Sequence, residues 1–335
     1  MYDAAGLRAN TLDDLMRLAI ERLISTGACL SASKGPMREL TGVLVELTNP
    51  RARLSRTETR GKPFSCLGQL CWYLARVNDV GFISYYLPKH KEDAEDGSLF
   101  GGYGPRLFDW NGVNQVSEVT SLLRERPTSR RAVIQVYDRG DIIGGHKDVA
   151  CTCTLQFMIR DGRLHMLVAM RSNDIFLGLP HDFFCFTMLQ EIVANDLGVE
   201  LGSYKHVVGS LHLYDKDTDQ AREFLAEGFQ STKSPMPEMP RGDPWPSVKI
   251  LLEAESAFRS QPVPPSFRYE RLHEYWADLV RLLEVYRYWK EDDARGMESV
   301  LRGISSPIYR AFIEKKISDL GGRNSLLQGG GPLTL

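Results

Sequence analysis

One hairpin limits what this chain can become. The stretch "ACTCTLQFMIRDGRLHMLVAMRS" (150–172) holds two strand-like segments that meet at Asp161-Gly162. That dipeptide accepts the positive φ of a two-residue turn, so the segments pair antiparallel. "FFCFTMLQEIVANDLG" (183–198) then reads as a helix stopped by Gly198, and "YKHVVGSLHLYD" (204–215) as a further strand. "TGVLVELTNP" (41–50), "RRAVIQVYD" (130–138) and "SVKILLEAE" (247–255) read as strands as well. Strands mixed with helices and closed by a hairpin predict an α+β fold with a mixed sheet, not a doubly wound parallel one.

Helices are expected at 11–27, with Thr11 as N-cap and Gly27 as stop, and at 65–77, 113–126 and 217–228. Residues 87–104 are polar and glycine-rich and read as a mobile surface loop; 234–246 is a proline-rich connection. From about 268 the pattern turns helical and charged, and it ends in a flexible tail, "LQGGGPLTL". These readings give a catalytic domain over 1–265 and a helical extension over 266–335 packed on it.

Composition narrows the function. Of 335 residues, 43% are hydrophobic and 25% charged, and the net charge is −2, so no basic field argues for nucleic acid. No apolar run is long enough to span a bilayer, and the first residues lack the pattern of a signal peptide. A cytoplasmic protein is expected. The six cysteines are scattered, which suits neither a disulfide scaffold nor a zinc site. No metal is expected.

Four groups of residues carry chemistry. Cys151, at a strand start near several arginines, can act as a thiolate nucleophile, although a lone cysteine is more often a small buried hydrophobe. Arg130 with Arg131, and Arg171 with Ser172, offer what a phosphate monoester needs; singly, each arginine reads as a surface ion-pair partner. His212 and Tyr214 alternate on one strand and point to one side, suited to a sugar hydroxyl or to a half-buried structural pair. Asp182 reads either as a helix N-cap or as a carboxyl facing a base edge. A protonated carboxyl donates and accepts at once, which suits cytosine, with its amine beside a ring-nitrogen acceptor.

Taken in order, these motifs resemble thymidylate synthase and its pyrimidine hydroxymethylase relatives. "SRRAVIQVYD", "ACTCTLQF", "RSNDIFLGLPHDFF", "GSLHLYD" and "GGYG" are similar to that family's segments, over roughly residues 20–255. The resemblance implies a thymidylate synthase-like fold and a homodimer that binds a pyrimidine nucleotide monophosphate and methylenetetrahydrofolate. It implies Cys151 as the nucleophile on carbon 6, and Arg171 and Ser172 as phosphate ligands. Arg130 and Arg131 would be phosphate ligands supplied across the dimer interface, and Lys34 would stand in for a further arginine. Asp174 would contact the folate pterin, His212 and Tyr214 the sugar, and Tyr103 would lie near the reacting carbons.

The departures bear on the substrate. Enzymes acting on dUMP place asparagine where this chain has Asp182; the dCMP hydroxymethylase branch places aspartate. The resemblance thus implies transfer to carbon 5 of dCMP, followed by hydration to 5-hydroxymethyl-dCMP. CMP hydroxymethylation, dUMP methylation and a non-catalytic nucleotide-binding dimer are the alternatives. Gln69 stands where the family has a glutamate, so another carboxylate, from Glu92–Asp96, substitutes or water ordering suffices. Tyr85 and Tyr86 are stand-ins for the family's folate-stacking tryptophans.

Overall fold

A computed structural model describes residues 6–328 other than 33, 234 and 262–266, with the backbone alone over 322–328. It divides into two compact units, 1–244 and 245–335. Residues 262–266, where the sequence places the boundary, and the tail 329–335 lie outside the described residues.

The first unit is built on a seven-stranded mixed sheet, as the sequence predicts. Its strands are β1 (Leu7–Ala9), β2 (Ala28–Ala32), β3 (Gly35–Leu47), β4 (Val133–Gln135), β5 (Thr152–Arg160), β6 (Arg163–Asp174) and β7 (Glu200–Tyr214). The order is β1-β3-β7-β6-β5-β4, with β2 paired to β3. At the predicted hairpin, Asp161 and Gly162 take φ of 51° and 71°, and Arg160 pairs with Arg163. β6 and β7 run parallel, with Ser172 beside Ser210 and Asp174 beside His212. A parallel pair needs a crossover, and the helix between these strands supplies it.

That first unit has α1 (Leu12–Thr26), α2 (Pro63–Leu74), α3 (Val80–Tyr86), α4 (Tyr103–Phe108), α5 (Gln115–Glu125), α6 (Gly178–Leu197) and α7 (Thr218–Ala226). Thr11 caps α1 as expected, its hydroxyl accepting from the Asp14 N–H at 3.1 Å. The crossover helix α6 is buried along almost its whole length, packs on α2, α5, β6 and β7, and stops at Gly198 with φ 68°. Its Glu191 is 1% exposed and joins two arginines from the segment after β3. Arg51 Nε lies 2.8 Å from one carboxylate oxygen and Arg53 bonds the other. The Met239 N–H also donates to Glu191, which ties in the proline-rich connection.

Several expectations need correction. The strand expected at 130–138 is only Val133–Gln135. The helix expected at 183 begins at Gly178, with Pro180 in its first turn, so Asp182 lies inside it and is no N-cap. "SVKILLEAE" is no strand: it lies in α8 (Trp245–Ser260) of the second unit, where Val248, Leu251, Ala254, Glu255 and Phe258 are buried at helical spacing. The stretch 87–104 is tied down rather than loose. Lys34 pairs with Asp93 at 3.1 Å, His146 with Glu95 at 2.9 Å, and the Gly101 N–H donates to Asp148 at 3.1 Å.

Beyond α8 the second unit has α9 (Glu274–Lys290), α10 (Ala294–Arg302) and α11 (Pro307–Gln328). The buried Asp278 on α9 accepts from the Ser305 and Ser306 N–H groups, which fixes the turn into α11. Among the described residues no helix is long and apolar enough to cross a membrane.

Candidate active site

The C-terminal end of β6, the start of β5 and the first turns of α6 converge. Cys151, half-buried just before β5, lies within the electrostatic reach of Arg171, Asp182, Asp148 and Lys34. Burial pushes its thiol up to about 11, and Arg171 is the main charge opposing that shift. The Arg171 guanidinium donates to the carbonyls of Ala150 at 3.0 Å and Val149 at 2.9 Å. It thereby clamps the backbone that leads into the cysteine. Thr152 is fully buried while Cys151 and Cys153 on either side are half-buried, so the two cysteines share a face as their spacing predicts.

Tyr103, at the start of α4, closes one side. Its phenolic oxygen accepts from the Thr152 N–H at 3.0 Å. Burial, with Cys151 and Asp182 nearby, raises the Tyr103 pKa well above its ordinary value, so the phenol keeps its proton. The Tyr103 ring packs between Tyr73, at a centroid distance of 5.2 Å, and Phe186, at 6.2 Å. Gln69 on α2 donates to the Tyr73 hydroxyl at 2.7 Å. It therefore reaches this wall through Tyr73.

Asp182 is 8% exposed. Burial pushes its pKa up to about 7; the Asn173 hydrogen bond opposes the rise and the Asp174 charge adds to it. Asn173 Nδ2 donates to Asp182 Oδ2 at 2.7 Å. The neighbouring His181 is a satisfied core histidine, within 3.1 Å of the Leu177 carbonyl and 3.0 Å of Ser65, and burial lowers its pKa to about 4.

Asp174 ends β6. Its Oδ1 accepts from the N–H groups of Phe176 at 2.8 Å and Leu177 at 3.0 Å, which shapes the bend into α6. Beside it, Arg60 is 6% exposed, stacks 4.7 Å over the Phe176 ring, feels Asp174 and Asp217, and has a buried Nε without a hydrogen-bond partner among the described residues. His212 is buried with its ring edge-on to Tyr214 at 5.0 Å; Tyr214 feels Asp174, Lys34 and Cys151. Ser172 is half-buried, between Arg171 and Asn173.

The fold thus gathers Cys151, Tyr103, Asp182, Arg171, Ser172, Asp174, His212, Tyr214 and Lys34 around one region, with Gln69 one residue further back. Arg130 and Arg131 are solvent-exposed. Of the acidic segment 92–96, Asp93 and Glu95 are held by Lys34 and His146. The carboxylates that Cys151 feels are Asp182 and Asp148. Tyr86 packs its ring on Gly68 of α2, where any Cβ would collide with it. Tyr86 is thus committed to packing, whereas Tyr85 is half-buried.

Sequence reasoning missed Asp148, Asn173, Tyr73 and Arg60. Asn173 sits inside the quoted "RSND" motif, but its partner is nine residues on and meets it only once α6 folds back. Among the described residues no group of three or more His, Cys, Asp or Glu side chains is placed to hold a metal.

Residues 56–241, more than half of the chain, match the protein-family model described as thymidylate synthase. A deoxyuridylate hydroxymethyltransferase from Bacillus phage SP01 is 29% identical over 239 residues, which cover 65% of this chain. The match spans 62% of that relative's length, less than two thirds of it.

Proposed function

The chain belongs to the thymidylate synthase family, and from that premise we propose that it transfers a one-carbon unit from methylenetetrahydrofolate to carbon 5 of dCMP, leaving 5-hydroxymethyl-dCMP. The observation that carries the cytosine reading is aspartate, not asparagine, at position 182, as in the dCMP hydroxymethylase branch that the sequence resembles; that carboxyl is buried, raised to about 7 and close enough to Cys151 to influence its thiol. In its neutral form the carboxyl donates to the cytosine ring nitrogen and accepts from the amine.

Arg171 and Ser172 hold the phosphate, with Lys34 beside them and Arg130 and Arg131 supplied by a second copy of the chain. His212 and Tyr214 hold the sugar. Cys151 adds as the thiolate to carbon 6, which makes carbon 5 a nucleophile. A neutral Asp182 also withdraws one of the charges that oppose thiolate formation. After transfer the carbon 5 proton leaves as the bond from the methylene to the folate nitrogen breaks and tetrahydrofolate departs; water then adds to the exocyclic methylene, and the Sγ–C6 bond breaks to return the cysteine. Gln69 orders that water through Tyr73 and supplies no proton itself.

The folate, when bound, supplies a carbon at the formaldehyde level of oxidation. Asp174 and Arg60 fit it: the first offers a carboxylate to the pterin, and the second has a buried donor with no partner among the described residues.

A uracil substrate is the second reading, favoured by the phage relative, whose name gives deoxyuridylate as its substrate. Incubation with methylenetetrahydrofolate and dCMP, CMP or dUMP, read by product mass, separates the readings. A hydroxymethyl gain on dCMP is expected. A gain confined to dUMP, as hydroxymethyl or methyl, overturns the cytosine reading, and no gain on any of the three favours a non-catalytic nucleotide-binding dimer.

A further inference from the structure

We infer that Asn173 is a specificity-determining residue, because it fixes which oxygen of the Asp182 carboxyl donates to the base and which accepts. The inference rests on the reading that Asp182 faces the pyrimidine. A neutral carboxyl is a donor beside an acceptor, but its proton can sit on either oxygen. Cytosine presents an amine donor next to a ring-nitrogen acceptor; uracil presents a carbonyl acceptor next to a ring N–H donor. One carboxylic acid therefore fits both bases, in opposite proton arrangements. Carboxyl chemistry alone does not discriminate them.

The asymmetry comes from Asn173. Its Nδ2 donates to Asp182 Oδ2 at 2.7 Å, and the same nitrogen lies 3.0 Å from the Met170 sulfur. Of the two neighbours of that nitrogen, the Met170 thioether can only accept. A flipped amide would turn its carbonyl oxygen toward a thioether that has no proton to give. The amide is 3% exposed and sits on β6 beside Leu211 of β7, so water does not replace it. With an N–H pointing at Oδ2, that oxygen keeps its lone pairs and the carboxyl proton is confined to Oδ1. Oδ2 has a second lone pair left for a base amine, while Oδ1–H is the donor for a ring nitrogen. Asn173 touches no substrate in this arrangement and acts through Asp182 as a positioning residue.

The test compares the wild-type chain with Asn173→Ala and Asn173→Ser. The serine keeps a small polar side chain without an obligatory N–H donor, and serves if the alanine variant melts early. For each, kcat/KM on dCMP and on dUMP is measured with methylenetetrahydrofolate, and nucleotide Kd is measured without it. The dCMP:dUMP ratio is expected to move toward unity by about tenfold or more, from whichever base the wild type prefers. A merely structural role lowers both substrates together and leaves the ratio alone. A ratio unchanged within about twofold in either folded variant overturns the inference. Asp182→Asn, run in parallel, separates the two levels. If it shifts the ratio and the Asn173 variants do not, only the role of Asn173 falls. If Asp182→Asn leaves the ratio unmoved, the base-facing reading of Asp182 falls.

Discussion

The backbone N–H of Thr152 donates to the phenolic oxygen of Tyr103 at 3.0 Å, so the residue after the candidate nucleophile is held by the residue that opens α4. Replacing Tyr103 by Phe leaves that buried N–H without its acceptor. The expected loss is about 1–2 kcal/mol of stability. A fall of roughly 10–100-fold in kcat follows if Cys151 shifts with its neighbour. Denaturant midpoints and steady-state rates check both; an unchanged kcat with lowered stability would restrict Tyr103 to a structural part.

Cys151→Ser removes the thiol while leaving its surroundings intact. Turnover is expected to fall by about four orders of magnitude or more, since a neutral serine hydroxyl is a far weaker nucleophile than a thiolate. Nucleotide binding, followed by calorimetry, is expected to stay within a few-fold. Comparable turnover in the serine variant would remove the nucleophile from the mechanism.

Asp182 predicts a pH dependence with a definite sign. Its pKa is raised to about 7 by burial, from an ordinary 3.8. The neutral form that reads cytosine is present below about pH 7 and lost above it, so dCMP affinity should decline as pH rises from 6 to 9. Folding follows the same sign: the cost of ionising the buried carboxyl is absent below 3.8, grows as pH rises, and is complete above about 7. Asp182→Asn should therefore be more stable than wild type at pH 8, by on the order of 2–4 kcal/mol, and lose that advantage near pH 4. It should also lower the pH at which Cys151 is alkylated by iodoacetamide, because one opposing charge is gone. Parallel melting curves at both pH values would sink the claim.

Glu191 gives the opposite case. Burial works to raise its pKa, but the Arg53 and Arg51 guanidiniums outweigh burial and the net value is lowered. The stability it contributes is complete above its unfolded value and is lost as pH falls through the lower folded one. Glu191→Ala leaves Arg53, fully buried, without its counter-charge. A loss of about 3–5 kcal/mol is expected from chemical denaturation at pH 7. A variant within about 1 kcal/mol of wild type would show that water or a rotamer change relieves both arginines.

The sheet was legible where period and turn chemistry agree. Asp161-Gly162 marked its hairpin, and the alternation of 204–215 marked β7. "SVKILLEAE" misled because a short apolar run has no period of its own. Its helical stripe shows only when Ala254, Glu255 and Phe258 are counted with Val248 and Leu251. The start of α6 was missed because Asp182 resembles a cap, whereas Asp174 does the shaping by accepting from Phe176 and Leu177. Within the site, residues of the contiguous motifs could be named beforehand. Arg60 could not, since only tertiary folding brings it beside Asp174; Asp148 lies three residues before Cys151, outside the motifs that drew attention.

The side-by-side run of Ser172, Asn173 and Asp174 with Ser210, Leu211 and His212 has a consequence for how such a chain changes over time. Each rung is a fixed step of about 3.3 Å along the sheet. The ladder absorbs an irregularity between Leu164 and Met166, before these rungs, but an inserted or deleted residue among the rungs themselves would throw the later side chains onto the wrong face. Substrate range can drift by exchanging one side chain on a rung, but the spacing between rungs is closed to variation. Lineages that diverge in the nucleotide they prefer should differ here in letters and never in length.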